Sequence, residues 1–422
     1  MGFVFFGLVV AYNPLYIWYL MSHAALGGMT LRMIASSMFL TGFCVFSFAA
    51  VLLCRNGKIT VKRTPIYFLT NILLAFYALA IIIGFIRGND LKYMLLDSFP
   101  LLEMFVIYYL IKFSPLVEKT LNFKRILKWL LVYFFIMAAT DLVSYGVLSL
   151  VAPAYFGALR ALIGGVTVNR LMDYVLPLFL SLCLVSYEHV YRRRWVMVLF
   201  CMSVVVVMLT FYRTLYLAVF AGLLYLVLST RERFIFIFRI AAAIALVSIL
   251  LLFGARLFVK NNTCNLPVLF TQRVVSIYSP DKKIDYSGTS RIAHNKDMVY
   301  SIVTSFPDIA GVGGIYVSRE GDLTPIFCTS NFFLQLFLLL GVPAGLLFIG
   351  IYCQAVGVAR RLARDAKDTA EKAFFAASAA VLVSLAVVLC LFPYVGYFPL
   401  LYVFGAILGC VDKKNESVSV NL

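Results

Sequence analysis

The feature that most restricts this chain is a series of uninterrupted apolar runs, each about 20 residues long, that recur along most of the sequence. A run of that length crosses the hydrocarbon core of a bilayer as an α-helix. Membrane β-barrels are excluded, because barrel strands alternate apolar and polar residues and these runs are continuous. Composition agrees: the 422 residues are 63% hydrophobic and 13% charged, about half the charged fraction of a soluble protein. The expected fold class is therefore an all-α polytopic membrane protein.

Twelve spans are expected, at about 3–21, 31–54, 65–86, 95–111, 126–150, 172–191, 195–212, 214–228, 234–258, 331–356, 373–391 and 394–411. The fourth and eighth are short. The fourth also holds Asp97, Pro100 and Glu103. The first run has no basic segment before it and no small-residue cleavage site after it, which marks a retained helix rather than a signal peptide.

The net charge is +17. In a soluble protein this would suggest a nucleic-acid partner. Here the basic residues lie between spans and set topology instead, so no nucleic acid is expected. With both termini in the cytoplasm, 22 of the 36 Lys and Arg residues fall in cytoplasmic segments. Eight of the others lie between Arg256 and Arg319, in or beside one long loop, where the charge rule has little force. The organisation expected is nine helices over 1–258, a large outer loop over 259–330, three helices over 331–411 and a short, charged, disordered cytoplasmic tail over 412–422.

The large loop is the longest polar piece of the chain. Asn262 to Ser287 carries Pro267 and Pro280 and reads as irregular surface. Ser290 to Ser305 reads as a helix, with Thr289 or Ser290 as N-cap and Pro307 just past its end. Gly311-Val312-Gly313-Gly314 reads as a tight turn. Cys264 and Cys328 both fall in this loop. An outer location would permit a disulfide between them, the alternative being two free thiols.

Three arginines on the loop side draw most interest: Arg170, Arg213 and Arg291. An arginine at the membrane face needs a partner. Phosphate suits it, because the guanidinium binds phosphate bidentately and keeps its charge. A nearby carboxylate or a lipid headgroup would serve too. Among the loop acids, Glu320-Gly321-Asp322 lies about ten residues before the tenth span, and either carboxylate is a candidate general base for a sugar hydroxyl. His294, one helical turn from Arg291, is another candidate base or else a plain surface histidine. Asp97, Glu103 and Asp141 lie within spans, where a carboxylate is costly; an ion- or proton-coupled transporter would use such groups, and an arginine from a neighbouring helix would equally neutralise them. The sequence has no P-loop, HExxH, GxSxG or zinc-ligand spacing, so no metal or nucleotide cofactor is expected.

The loop pattern resembles the O-antigen polymerase and O-antigen ligase superfamily, the Wzy-type bacterial polysaccharide polymerases and their ligase relatives. The matching pieces, in order, are Thr210-Phe-Tyr-Arg213, Ser290-Arg291, Ser305-Phe-Pro307, Gly311-Val-Gly313, Asn331, and the pair Gly341 and Gly345. The histidine that precedes the asparagine in that family is Ser330 here. The resemblance implies a GT-C-like bundle in the bacterial inner membrane with a large periplasmic loop. It implies a metal-independent glycosyltransferase. The donor is an undecaprenyl-pyrophosphate-linked oligosaccharide, the acceptor is the non-reducing end of a second lipid-linked repeat unit, and a partner protein sets chain length. On this reading Arg291, Arg213 and Arg170 bind pyrophosphate and Asn331 contacts substrate. Glu320, Asp322 or His294 substitutes as the base, or leaving-group stabilisation dominates and no strong base is needed. The alternatives are an O-antigen ligase or oligosaccharyltransferase and, in a different class, a flippase for lipid-linked oligosaccharide.

Overall fold

The computed structural model describes residues 64–113, 131–132, 135, 171–187, 193–209, 213–229, 286–305, 308–326, 331–391 and 400–418. Helix accounts for 87% of the described structure, and four described helices are long and apolar enough to cross a membrane. The protein is thus an all-α membrane protein, with one short β-hairpin among the described residues. The expected spans at 3–21, 31–54 and 234–258, and nearly all of 126–150, lie outside the described residues, as do Cys264, Cys328 and Asp141.

The described helices are α1 (Pro65–Ile86), α2 (Leu91–Phe113), α3 (Leu171–Tyr187), α4 (Arg193–Leu209), α5 (Arg213–Ser229), α6 (Tyr286–Ser305), α7 (Phe332–Leu340), α8 (Val342–Asp365), α9 (Thr369–Leu391) and α10 (Leu400–Val418). Between α6 and α7 lie β1 (Ile315–Val317) and β2 (Leu323–Pro325), an antiparallel pair in the register Val317 to Leu323. The chain forms two compact units. One is drawn from Met1–Asn122, Ser290–Leu362 and Leu389–Leu422, the other from Phe123–Thr289 and Ala363–Val388.

In the first unit, α1 starts where the sequence says it should. The Thr64 hydroxyl caps it by accepting the Tyr67 N–H, and Pro65 takes the first helical position, where no N–H is needed. Gly88, at φ 69°, ends it, and the Asn89 N–H returns to the Gly84 carbonyl. The chain then enters α2 and runs back. Phe68, Leu79, Ile82, Phe85 and Ile86 remain exposed on α1, an apolar surface suited to lipid. Helix α10 lies close against α2. A Cβ on Gly405 would sit 2.5 Å from the Met104 carbonyl oxygen, and one on Gly409 would sit 2.9 Å from Ile111 Cβ. This small-xxx-small spacing lets two backbones approach inside a membrane, where lipid supplies no hydrophobic drive. Nearby, Tyr352 of α8 stacks on Phe404 of α10 at 4.9 Å.

In the second unit, Gly222 of α5 makes room for Phe179 of α3 and Ser384 of α9, and the Ser384 hydroxyl donates to the Ala218 carbonyl at 2.7 Å. Leu217, Phe220, Leu224 and Leu228 line an exposed stripe of α5, a second surface suited to lipid.

Several sequence expectations need correction. The fourth span is a full-length helix of 23 residues, because Asp97 finds partners and Pro100 is accommodated inside it. The single span expected at 331–356 is two helices. Gly341 breaks it at φ 88°, and α7 is only 9 residues long. The loop helix begins at Tyr286, so Thr289 and Ser290 lie within it rather than capping it. Their capping preference is local and is overridden by continued helical bonding. The expected disordered tail is helical through Val418, and Asp412 and Lys413 are buried because each has a partner.

Candidate functional site

The loop-side structure is built by a turn, a hairpin and a helix, all carried by the first unit. The expected turn at Gly311–Gly314 is present. Gly311 and Gly313 adopt φ 76° and 75°, a region that side chains with a Cβ rarely enter, and the Gly314 N–H closes on the Gly311 carbonyl. The turn packs on α1 and α2. The Val312 N–H donates to the Ala80 carbonyl at 3.1 Å, and the Asn89 side-chain amide donates to the carbonyls of Ala310 (3.3 Å) and Val312 (2.9 Å). The Gly313 N–H donates to Asp97 Oδ2 at 3.0 Å. Ala80 and Asp97 each lie six residues inside their helices, so the turn sits about 9 Å below the helix ends. Irregular backbone at that depth is tolerated only when buried in protein and hydrogen-bonded. Gly311, Val312, Gly313 and Gly314 are all buried.

The turn leads directly into the hairpin, and the Ile326 N–H returns to the Gly314 carbonyl to close its base. At its tip the Ser318 hydroxyl accepts the N–H groups of Glu320 and Asp322, with Gly321 at φ 91°. Strand alternation places Tyr316 inward, 2% exposed, and leaves Ile315 and Val317 outward. The inward Tyr316 hydroxyl is 3.2 Å from His294 Nδ1 on α6. Three residues further along each element, Arg319 Nε meets Asp297 Oδ1 at 2.6 Å. That hydrogen bond holds the Asp297 carboxyl below its usual range. Met298, fully buried, also anchors α6. The result is a half-buried imidazole fixed from behind by a phenol, on a helix tied twice to the hairpin.

A cavity of about 160 Å³ lies beside this assembly, lined by Phe76, Ile302, Ile309, Phe337, Leu340 and Pro343 among others. It has about the volume of a cavity that holds one benzene-sized apolar group. Asp308 lies at this cavity and approaches Arg87 at 3.9 Å.

Of the residues singled out in the sequence, His294 gains a defined partner. Arg291 lies one turn before it in α6. Glu320 and Asp322 are exposed at the hairpin tip, and their backbone N–H groups bind Ser318. Asn331 caps α7, its side-chain oxygen accepting the N–H groups of Phe333 and Leu334. This is a structural task for a residue expected to contact substrate. Arg213 opens α5 and belongs to the second unit. Arg170 lies outside the described residues. Asp97 is buried and accepts from Gly313 and from Gln335 Nε2, the latter at 2.9 Å. Glu103 is buried, and its Oε1 has no hydrogen-bond partner among the described residues.

Sequence reading passed over Tyr316, Arg319, Asn89 and Gln335, none of which carries a motif. It also passed over a charge cluster at the opposite ends of α1 and α2. Lys112 Nζ lies 2.9 Å from Asp412 Oδ2 and 2.8 Å from Glu416 Oε2. Asp412 also accepts the hydroxyls of Thr64 and Tyr108, and Lys413 donates to the Lys112 carbonyl. The Gly405-xxx-Gly409 spacing was the available signal that this end of α10 packs tightly. No known protein family, curated protein or solved structure matches the chain.

Proposed function

We propose that the protein is a bacterial surface-polysaccharide polymerase of the O-antigen type. In this reading it is a GT-C-like bundle of about twelve spans in the inner membrane, with both termini cytoplasmic and the loop in the periplasm. The observation that carries the reading is the His294–Tyr316 pair at 3.2 Å, on a loop helix seated by a buried turn. An imidazole so held, with Nδ1–H donated to the Tyr316 oxygen, leaves Nε2 to accept a proton. The acceptor hydroxyl attacks the anomeric carbon of the donor glycan. Its proton passes to His294 Nε2 as the bond from the anomeric carbon to the phosphate oxygen breaks. Charge then develops on the departing undecaprenyl pyrophosphate. Arg291, one turn away on α6, is the residue suited to meet it. The apolar cavity at Phe76 and Phe337 supports a ligand with a hydrocarbon tail. Arg213 and Arg170 stand as further phosphate-binding candidates, and Glu320 and Asp322 as weaker candidates for the base because both are exposed. A chain-length-setting partner belongs to the same reading.

Glu103 favours a second reading, a flippase for lipid-linked oligosaccharide, because a buried carboxyl oxygen without a hydrogen-bond partner among the described residues is what coupled transport uses. Purified protein in nanodiscs, given synthetic undecaprenyl-pyrophosphate-linked repeat units, separates the two. The polymerase reading predicts a ladder of products that shrinks to single units in Arg291→Ala, Arg213→Ala and His294→Ala. No ladder, together with transport of the lipid in liposomes that Glu103→Gln abolishes, refutes it.

A further inference from the structure

Asp97 has no task in the proposed reaction, yet it is buried and hydrogen-bonded on both oxygens. Oδ2 accepts the Gly313 N–H at 3.0 Å and Oδ1 accepts the Gln335 side-chain amide at 2.9 Å. These two bonds join α2, the re-entrant turn and α7. The turn has no room to settle elsewhere. A Cβ on Gly313 would sit 2.6 Å from the Met94 nitrogen, and one on Gly84 would sit 2.5 Å from the Val312 carbonyl oxygen. Helix α7 is held to the same segment by the Ala310 N–H, which donates to the Leu338 carbonyl at 3.1 Å. The turn continues into the strand that carries Tyr316, so whatever fixes the turn also fixes the phenol behind His294.

An ionised carboxylate is an acceptor only, with capacity for both donors. The site offers it two N–H donors and no cation among the described contacts. We propose that Asp97 and Gln335 are positioning residues, which set the depth of the Gly311–Gly314 turn and thereby the placement of Tyr316 and His294. On this account the negative charge itself is immaterial, provided each donor keeps an acceptor. Asp97→Leu removes both acceptor oxygens and strands the Gly313 N–H and the Gln335 amide. Asp97→Asn keeps both bonds. Its amide oxygen accepts the Gly313 N–H, and its nitrogen donates to the Gln335 side-chain oxygen once that amide turns over. A residue that carries a proton or ion for transport would not survive this exchange.

The test introduces Val312→Cys, a position only 1% exposed, into the full-length protein in membranes. It measures its reaction with a membrane-impermeant maleimide against the same protein without that cysteine. Product ladders are read in parallel. Asp97→Leu is expected to speed labelling roughly 10- to 100-fold and to lose the ladder. Asp97→Asn is expected to keep both at parental values. Slow labelling in Asp97→Leu overturns the proposal. So does fast labelling, or failure to accumulate in the membrane, in Asp97→Asn. If Asp97→Leu does not accumulate, Gln335→Met, which removes one donor and leaves the Gly313 bond, takes its place. Labelling no faster than the parent there also overturns the proposal. The activity readout rests on the polymerase reading. If the parent makes no ladder, that reading fails while labelling still decides the positioning role.

Discussion

Gly84→Ala tests the packing of the re-entrant turn most directly. The new Cβ would lie 2.5 Å from the Val312 carbonyl oxygen, with Met94 Cε at 3.2 Å and the Val312 nitrogen at 3.3 Å. Relief requires a movement of about 0.9 Å to reach ordinary contact. The obstructing atom is backbone, and it is tied down. Val312 O accepts from Asn89 at 2.9 Å, Val312 N–H donates to Ala80 at 3.1 Å, and the adjacent Gly313 N–H donates to Asp97 at 3.0 Å. Shifting the turn by that distance stretches all three beyond useful length. A cost of about 3 kcal/mol follows, from overpacking and partial loss of these bonds. Hydrogen exchange of the 308–326 segment in nanodiscs should then be roughly 100-fold faster than in the parent. Gly88→Ala is the matched control. Its φ of 69° makes the substitution strained, but nothing lies within 4 Å, so it should loosen the end of α1 without undocking the turn. Exchange in Gly84→Ala within about twofold of the parent would refute the docking argument.

At the other end of the unit, Lys112→Met strands two carboxylates beside a 1% exposed position and should lower stability by about 3–5 kcal/mol, read by thermal unfolding in detergent. Arg364→Ala, in an exposed pair, should cost less than about 1 kcal/mol. For the hairpin, the depressed Asp297 carboxyl means that its contribution is complete above the unfolded value of about 3.9 and is lost as pH falls further. Protection of the hairpin segment, relative to unstructured amides at the same pH, should therefore fall below about pH 4, and Asp297→Asn should show low protection at neutral pH that does not change across that range.

Much of the architecture was legible locally. The start of α1 at Thr64-Pro65, its end at Gly88 and the Gly311–Gly314 turn follow from capping chemistry and backbone freedom in a few adjacent residues. The loop helix was legible from the helical spacing of Ile292, Val299, Ile302 and Val303, though its start was not. His294 was legible as a candidate, because a titratable group one turn from Arg291 stands out in a chain this apolar. The hairpin was not, since strands of three residues leave too short a pattern to read. Nor was the break at Gly341, where a continuous apolar run hides the change of direction.

The apolar runs alone determined that this chain lives in a membrane as helices, because a helix satisfies its own backbone there and barrel strands would alternate apolar and polar residues. What only the tertiary structure decided is the meaning of the buried charges. Asp97 meets partners 216 and 238 residues away, and Asp412 meets Tyr108 at a separation of 304. A carboxylate in a span reads identically in sequence whether it moves ions or holds a loop. Its partners distinguish the two, and folding brings them from the far end of the chain.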